Sequence, residues 1–306
     1  MGQSTMNVFK RLMILLICLA CPCTVIADVP WANSKKRGVG VSLKPKFREA
    51  SLKRTRELKA AWISSWSKDP VAEIDGEQGL DLVPMAWGRN AVDTKEWATR
   101  QQSGDYRELL GFNEPDSNKQ ANMTVAEALA LWPKLEATGL RLGSPATAKT
   151  KGEWMKEFMA GVEEKGLRVD FIAVHRYGGV DPERFLKSLK ELHEKYKRPI
   201  WITEFAVADW KAAKSGKSRY SSEQVYKFME TVLPQLEKLD YVERYAWFSP
   251  SRDKPALAHS ALFDGKGSLT RLGKLYQGQP TPSATENSSN EAPIPALANQ
   301  PTQTVH

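Results

Sequence analysis

Short apolar runs alternate with longer amphipathic stretches along most of the chain. Eight of these runs are rich in β-branched and aromatic residues, and they are almost continuously apolar. Such runs are typical of strands covered on both faces, as in a parallel sheet. The predicted strands are Gly38–Leu43, Ala61–Trp66, Asp81–Trp87, Glu108–Asn113, Arg141–Ser144, Asp170–Arg176, Ile200–Phe205 and Arg244–Ser249. We therefore expect an α/β fold built on a parallel sheet.

The stretches between these strands carry helix-start signals, such as the capping box of Thr124 and Glu127 and the Asp181-Pro182 pair. The predicted helices are Phe47–Lys59, Asp93–Ser103, Thr124–Thr138, Trp154–Lys165, Asp181–Tyr196, Ser221–Leu239 and the short Arg271–Gln277. Residues 67–80 show no helical pattern. Eight strands with mostly helical crossovers in about 250 residues predict a single-domain (β/α)8 TIM-type barrel. The alternative, a doubly wound open sheet, usually carries a glycine-rich turn after its first strand, and residues 43–46 offer none.

Both ends of the chain differ from this pattern. Lys10 and Arg11 precede the apolar run Leu12–Ala20, and Ala27 offers a small residue for cleavage. We expect a signal peptide over residues 1–27, a barrel over 28–277 and a disordered tail rich in Pro, Ser and Thr over 278–306. The mature protein would then be secreted or periplasmic. An uncleaved anchor is the alternative; lipoprotein anchoring at Cys21 is not favoured, because Cys18 stands where a leucine is expected.

Composition removes several classes of site. The three cysteines of the 306 residues all lie within residues 18–23, so the barrel offers no thiol nucleophile and no disulfide frame. The four histidines have no metal-binding spacing, so we expect neither a metal nor another cofactor. The net charge is +8, but the basic runs are typical of solvated faces, and nucleic-acid binding is not favoured. We expect a monomer with no stable membrane insertion after signal removal.

Candidate chemistry gathers where the predicted strands end. In a barrel of this kind the active site lies at the carboxyl ends of the strands. Strand four ends at Asn113 and Glu114, and strand seven ends near Glu204, so the two acids should face each other across the mouth. Glycoside hydrolysis needs two such carboxylates. The alternative is structural: Glu114 would cap the following loop, and Glu204 would pair with Arg176 or another cation.

Aromatic and histidine side chains share the same rim. Trp66, Trp87 and Trp247 lie at strand ends and are candidates to stack on sugar rings. His175 and Tyr177 end strand six and are assigned to the site. Four other tryptophans, within strands or on helices, are expected to pack instead: Trp62, Trp132, Trp154 and Trp201.

These motifs resemble clan A glycoside hydrolases and, more closely, glycoside hydrolase family 128. The matching pieces are Arg37-Gly38, Pro84 to Gly88, Gly111 to Asp116, Gly143 to Ala146, His175 with Tyr177, Trp201 to Phe205 and Trp247-Phe248. The resemblance implies cleavage of β-1,3-glucan with retention, with Glu114 as acid/base and Glu204 as nucleophile. It also implies that Asn113 hydrogen-bonds the sugar 2-hydroxyl, and that Tyr177 and His175 orient or ionise Glu204.

One position departs from the family pattern. Arg176 stands between the histidine and tyrosine of strand six, where the family often has tryptophan. A guanidinium there could bind sugar hydroxyls or an anionic group instead of stacking. Two alternatives therefore stay open beside an endo-acting β-1,3-glucanase: a glycan-binding barrel with little or no turnover, and a hydrolase of another β-glucan linkage.

Overall fold

The computed structural model describes residues 29–70, 80–92, 94–248 and 254–279. The expected signal peptide and nearly all of the tail lie outside the described residues. The strands are β1 (Arg37–Gly40), β2 (Trp62–Ser64), β3 (Asp81–Val83), β4 (Glu108–Leu109), β5 (Arg141–Leu142), β6 (Ile172–Gly178), β7 (Ile200–Val207) and β8 (Val242–Phe248). Every predicted strand is present, in the predicted order. No helix among the described residues is long and apolar enough to span a membrane.

The eight strands form a ring in which every neighbouring pair is parallel. Six of them pair in the order β3-β2-β1-β8-β7-β6, and β4 pairs with β5. Two short parallel bridges complete the ring. Met85 pairs with Leu110 between β3 and β4, and Gly143 pairs with Phe171 between β5 and β6. The predicted (β/α)8 barrel is therefore confirmed.

Helices connect the strands, as predicted. They are α1 (Pro45–Glu57), α2 (Thr94–Ser103), α3 (Val125–Glu136), α4 (Glu153–Glu164), α5 (Pro182–Tyr196), α6 (Ala212–Ser215), α7 (Ser222–Lys238) and α8 (Arg271–Gln277), with 3₁₀ turns at Arg89–Ala91 and Ala258–Ser260. Thr124 and Glu127 make the expected capping box, and Asp181 accepts a hydrogen bond from the backbone N–H of Arg184. The sequence did not predict the one-turn helix α6.

The barrel interior is filled by large aromatic side chains near the amino ends of the strands. Trp62 and Trp201 are buried there, with ring centroids 5.7 Å apart, and Phe171 stacks on Trp201 at 4.1 Å. Gly38 is required by this packing, because a Cβ at that position would lie 2.4 Å from the Trp62 ring. The predicted core roles of Trp62 and Trp201 are confirmed. Since this layer closes the amino end, any substrate must enter from the carboxyl end.

Candidate active site

Glu204 is a buried carboxylate held by two hydrogen-bond donors. It lies within β7 and is 6% exposed. Its Oε1 accepts a hydrogen bond from the Trp66 indole N–H at 2.9 Å, and its Oε2 accepts one from the Tyr177 hydroxyl at 2.5 Å. Burial, followed by the charge of Glu204, raises the pKa of Tyr177 well above its ordinary value, so this hydroxyl stays a donor. Such donors favour the ionised form of a buried carboxylate.

His175 lies between the two glutamates. It pairs with Glu204 in the β6–β7 register and is almost wholly buried. Its Nδ1 is 3.0 Å from Oε1 of Glu114, and its Nε2 is 3.4 Å from Oε1 of Glu204. Burial alone would lower the pKa of His175, but the negative charges of Glu204 and Glu114 outweigh it, and the pKa is raised above 6.5. The imidazole therefore couples the two carboxylates electrostatically.

Glu114 reaches this position through an unusual backbone conformation. Its φ is +42°, in the left-handed region that residues other than glycine rarely adopt. The backbone N–H of Glu114 donates to the carbonyl of Ala146 at 2.7 Å, which ties the end of β4 to the loop after β5. Strain of this kind persists where the surrounding structure enforces it, and it concentrates at functional sites. Unlike Glu204, the Glu114 side chain is partly open to the mouth, with 16% of it exposed.

The three groups form one compact cluster. Glu114 and Glu204 each contribute one carboxylate oxygen and His175 contributes one ring nitrogen, and these three atoms all lie within 4.8 Å of one another. This geometry alone would also suit a metal ion. However, both oxygens of Glu204 already accept hydrogen bonds, and each ring nitrogen of His175 already faces a carboxylate oxygen, at 3.0 and 3.4 Å. The arrangement therefore suits acid–base and nucleophilic chemistry better than metal ligation.

A groove of about 2170 Å³ runs over this cluster. Its lining includes Trp66, Trp87 and Asn113, three of the residues that the sequence assigned to the site. The Asn113 amide nitrogen donates to the Gln120 side-chain oxygen at 3.3 Å, while its buried Oδ1 has no hydrogen-bond partner. An unpaired acceptor of this kind is ready to receive a hydroxyl donor from a ligand.

Trp247 is not part of the groove, and its assignment as a sugar-stacking residue is wrong. It is fully buried, its indole N–H donates to the Ser260 carbonyl at 2.8 Å, and Phe205 packs on it edge to face at 4.9 Å. Its neighbour Phe248 lines the groove instead. Successive strand residues point to opposite faces, so only one of these two adjacent aromatics can face the mouth.

Sequence reasoning missed two aromatic residues of the groove that pack against Tyr177. Phe248 packs edge to face against both Trp66 and Tyr177, at 6.0 and 5.8 Å. Trp210, just after β7, is 59% exposed and packs against Tyr177 at 5.6 Å. An exposed tryptophan beside a carboxylate pair is a candidate stacking surface. The only signal in the sequence for Trp210 was its residue type.

Arg176 points away from the two glutamates. It is half-buried between β6 and α5, lines the groove, and makes no ion pair among the described residues. The part of the structural alternative in which Arg176 pairs with Glu204 is therefore wrong; the cationic group within ion-pair distance of Glu204 is His175 instead. Burial, and to a smaller extent the nearby positive charge of Arg184, lower the pKa of Arg176. Its Nε has no hydrogen-bond partner.

Comparisons with known proteins identify the family that the chain resembles. A family described as "Glycosyl hydrolase catalytic core" matches residues 40–276. Alkali-sensitive linkage protein 1 of Schizosaccharomyces pombe is 33% identical over 177 residues, which cover 55% of this chain but only 32% of that protein. The chain therefore spans about a third of the length of this curated relative.

Two solved structures have the same fold. A family 128 subgroup I endo-β-1,3-glucanase of Amycolatopsis mediterranei, solved with laminaritriose and laminaribiose, is 35% identical with a TM-score of 0.68. That match covers 81% of this chain and 100% of the other. A subgroup V exo-β-1,3-glucanase of Cryptococcus neoformans is 26% identical with a TM-score of 0.63, and the match covers 80% of this chain and 100% of the other.

Proposed function

The chain belongs to glycoside hydrolase family 128, and on that premise we propose that it hydrolyses β-1,3-glucan with retention. In this proposal Glu204 is the nucleophile and Glu114 is the acid/base. The substrate class comes from the two solved relatives, whose descriptions name β-1,3-glucanases. The division of roles comes from the site itself.

The observation that carries the proposal is the difference between the two carboxylates. Glu204 is buried, and both of its oxygens accept hydrogen bonds from neutral donors, which hold the carboxylate in one orientation for attack on the anomeric carbon. Glu114 is more open to the groove, so its carboxyl group can reach the leaving oxygen, and its Oε1 lies 3.0 Å from the imidazole of His175. Oxygens within 4.8 Å of each other also leave little room for the water that an inverting enzyme holds between its acids.

The reaction then proceeds in two displacements. Glu114 gives its proton to the glycosidic oxygen while a carboxylate oxygen of Glu204 bonds to the anomeric carbon, and the C–O bond to the leaving sugar breaks. Glu114, now ionised, takes a proton from water, and that water displaces Glu204 from the anomeric carbon. Asn113 offers its unpaired Oδ1 to the sugar 2-hydroxyl. Two inversions restore the original β configuration.

The groove favours internal cleavage. Residues 41–47, after β1, line one side, and residues 148–152, after β5, line the other. These strands lie opposite each other in an eight-stranded ring, so the groove extends past the glutamates in both directions. Aromatic rings for stacking lie along it, at Trp66, Trp87, Trp210 and Phe248. A chain bound across such a groove can be cut between sugar units on both sides.

Product analysis on glucans of defined linkage tests this function. Purified protein should release a series of short oligosaccharides from linear β-1,3-glucan and nothing from β-1,4-glucan. Glu114→Gln and Glu204→Gln should abolish release while leaving the circular dichroism spectrum and thermal midpoint unchanged. Binding of laminarihexaose without any release by the wild type would instead identify a glycan-binding barrel. Release from another linkage alone would reassign the substrate.

A further inference from the structure

One wall of the groove is strongly cationic. It is formed by the loop after β5, the end of β6 and helix α5, and its basic side chains are Lys149, Lys151, Arg176, Arg184 and Lys187. Of these, only Lys151 makes an ion pair among the described residues, with Glu191, whose charge Lys187 also feels. Lys149, Arg176 and Arg184 carry positive charge at the groove and make no ion pair with a described carboxylate.

The opposite wall has the same character. Lys44, Lys46, Arg54 and Lys254 line the groove there, and no carboxylate pairs with any of them among the residues that the structure describes. Arg54 lies over the Phe263 ring, with 5.3 Å between the guanidinium carbon and the ring centroid. The groove therefore has acidic groups on its floor, where Glu114 and Glu204 lie, and mainly basic groups along both walls, with Glu191 as the one acidic residue that the structure describes in the wall lining.

Arg176 and Arg184 come together at one point of this wall. Both side chains line the groove and also a side cavity of about 410 Å³ that adjoins it. The one carboxylate of this cavity, Asp181, caps α5 and makes no ion pair with either guanidinium. Gly179 also lines the cavity and packs closely against Tyr220, because a Cβ on Gly179 would lie 2.7 Å from the Tyr220 hydroxyl. Two neighbouring guanidiniums without a counter-ion form an anion-binding arrangement.

We propose that the natural substrate is an anionic β-glucan whose charged substituents, sulfate esters or carboxylates, bind along the cationic walls. One substituent is held between Arg176 and Arg184. This inference rests on the proposed function for the glucan backbone and adds the chemical class of its substituents.

The arrangement of charge favours a substituted glucan over a nucleic acid. A glucan carries its substituents on the sugar rings, so these can face the walls while the uncharged glycosidic bond passes over the glutamates. A phosphodiester backbone would bring its own negative charge to the floor, against Glu114 and Glu204. A neutral glucan would leave the wall cations unpaired, so their mutual repulsion would go uncompensated.

A binding experiment tests the inference independently of turnover. Isothermal titration with the Glu204→Gln protein would compare neutral laminarihexaose with sulfated and with carboxymethylated laminarihexaose of the same length. The anionic ligands should bind about tenfold more tightly at about 20 mM salt, and the advantage should shrink to about twofold at about 0.5 M, because salt screens charge interactions at this range. The sulfated and carboxymethylated arms show which anion the site prefers.

Two variants locate the effect. Arg184→Gln and Lys187→Gln, both at exposed positions of α5, should each reduce the affinity ratio of anionic to neutral ligand by about threefold to tenfold. Lys190→Gln is the matched control, since it removes one charge from the same helix at a position that does not line the groove. It should leave the ratio unchanged.

Three outcomes would overturn the inference. The first is equal affinity for neutral and anionic ligands at low salt. The second is an anionic advantage that Lys190→Gln reduces as much as Arg184→Gln does. The third is tighter binding of single-stranded DNA than of either anionic glucan. If the wild type hydrolyses neutral glucan and the titrations give one of these three results, the inference fails and the proposed function stands. If no glucan is hydrolysed, the proposed function fails, while the titrations still decide the anion preference.

Discussion

The two ends of the barrel differ in how completely their buried polar groups are hydrogen-bonded. At the amino end, Arg37 begins β1 and is completely buried without a carboxylate partner. Its guanidinium donates five hydrogen bonds to main-chain carbonyls, which belong to Trp31, Ala32, Leu58, Lys59 and Tyr276. At the carboxyl end, the buried Oδ1 of Asn113 has no hydrogen-bond partner among the described residues, and the Nε2 of His175 faces Glu204 at 3.4 Å without a hydrogen bond.

A second group at the amino end reinforces the contrast. Arg141 binds Glu243 through two hydrogen bonds of 2.6 and 2.9 Å, and the Trp201 indole N–H also donates to Glu243. One nitrogen of the neighbouring Arg244 and the side-chain oxygen of Gln277 are exceptions and have no hydrogen-bond partner in the described part of the chain. Polar groups that stabilise a fold are nearly all satisfied internally, whereas polar groups that act on a ligand keep free hydrogen-bonding capacity.

Loss of either glutamate should remove activity without loss of stability. Glu204→Ala and Glu114→Ala should each lower kcat by at least about 10³-fold on unactivated glucan. Sodium azide separates their roles: Glu114→Ala should form the β-glycosyl azide from an activated substrate, and Glu204→Ala should form the α-glycosyl azide. Chromatography and NMR identify the products. The reverse pairing of variant and product would exchange the assigned roles.

Replacement of Arg37 should have the opposite effect. Arg37→Met leaves five main-chain carbonyls without their donor, and we expect a loss of about 4 kcal/mol in the free energy of unfolding. Molecules that still fold should keep their kcat. Urea denaturation measures the effect, with the exposed Arg107→Met as control. A loss below about 1 kcal/mol would contradict the structural role given to Arg37.

Tyr177→Phe removes one of the two donors to Glu204. A hydrogen bond to a charged group contributes about 1.5–3 kcal/mol, so kcat/KM should fall about 10- to 100-fold. Trp66→Phe removes the other donor and should act in the same direction. Tyr241→Phe, outside the groove, is the control. Unchanged kinetics in both donor variants would show that Glu204 needs neither hydrogen bond.

His175 should make stability depend on pH. Its folded pKa is raised above the unfolded value of 6.5, so the stabilisation from its protonated form is complete below pH 6.5. It is lost as the pH rises through the folded pKa. The stability difference between wild type and His175→Gln should therefore be largest in acid and shrink towards alkaline pH. Urea unfolding from about pH 5.5 to 9 measures it, and a difference that grows with pH would contradict this sign.

The sequence predicted the ring of strands but not the direction of every side chain. The eight apolar runs and the capping signals at Thr124 and Asp181 placed the elements, because those patterns depend on local structure. The choice between Trp247 and Phe248 depends instead on how β8 pairs with β7. That register shifts between Ile202 and Phe205, and an irregularity of this kind has no local sequence pattern.

The site was partly predictable for the same reason. Glu114, His175, Tyr177 and Glu204 were found because strand ends converge in a parallel barrel, whatever the details of packing. Trp210 was missed because it follows β7 in a loop, where the chain path rather than a periodic pattern sets its position. The orientation of Arg176 towards α5 also follows from strand alternation, but its proximity to Arg184 required the structure.

The anomeric configuration of the first product tests the central claim most directly. Proton NMR of freshly cleaved laminarihexaose, recorded before mutarotation, reports whether the new reducing end is β or α. If Glu204 is the nucleophile and Glu114 the acid/base of a double displacement, the β anomer appears first. An initial α anomer would contradict the account, because it requires a single displacement by water.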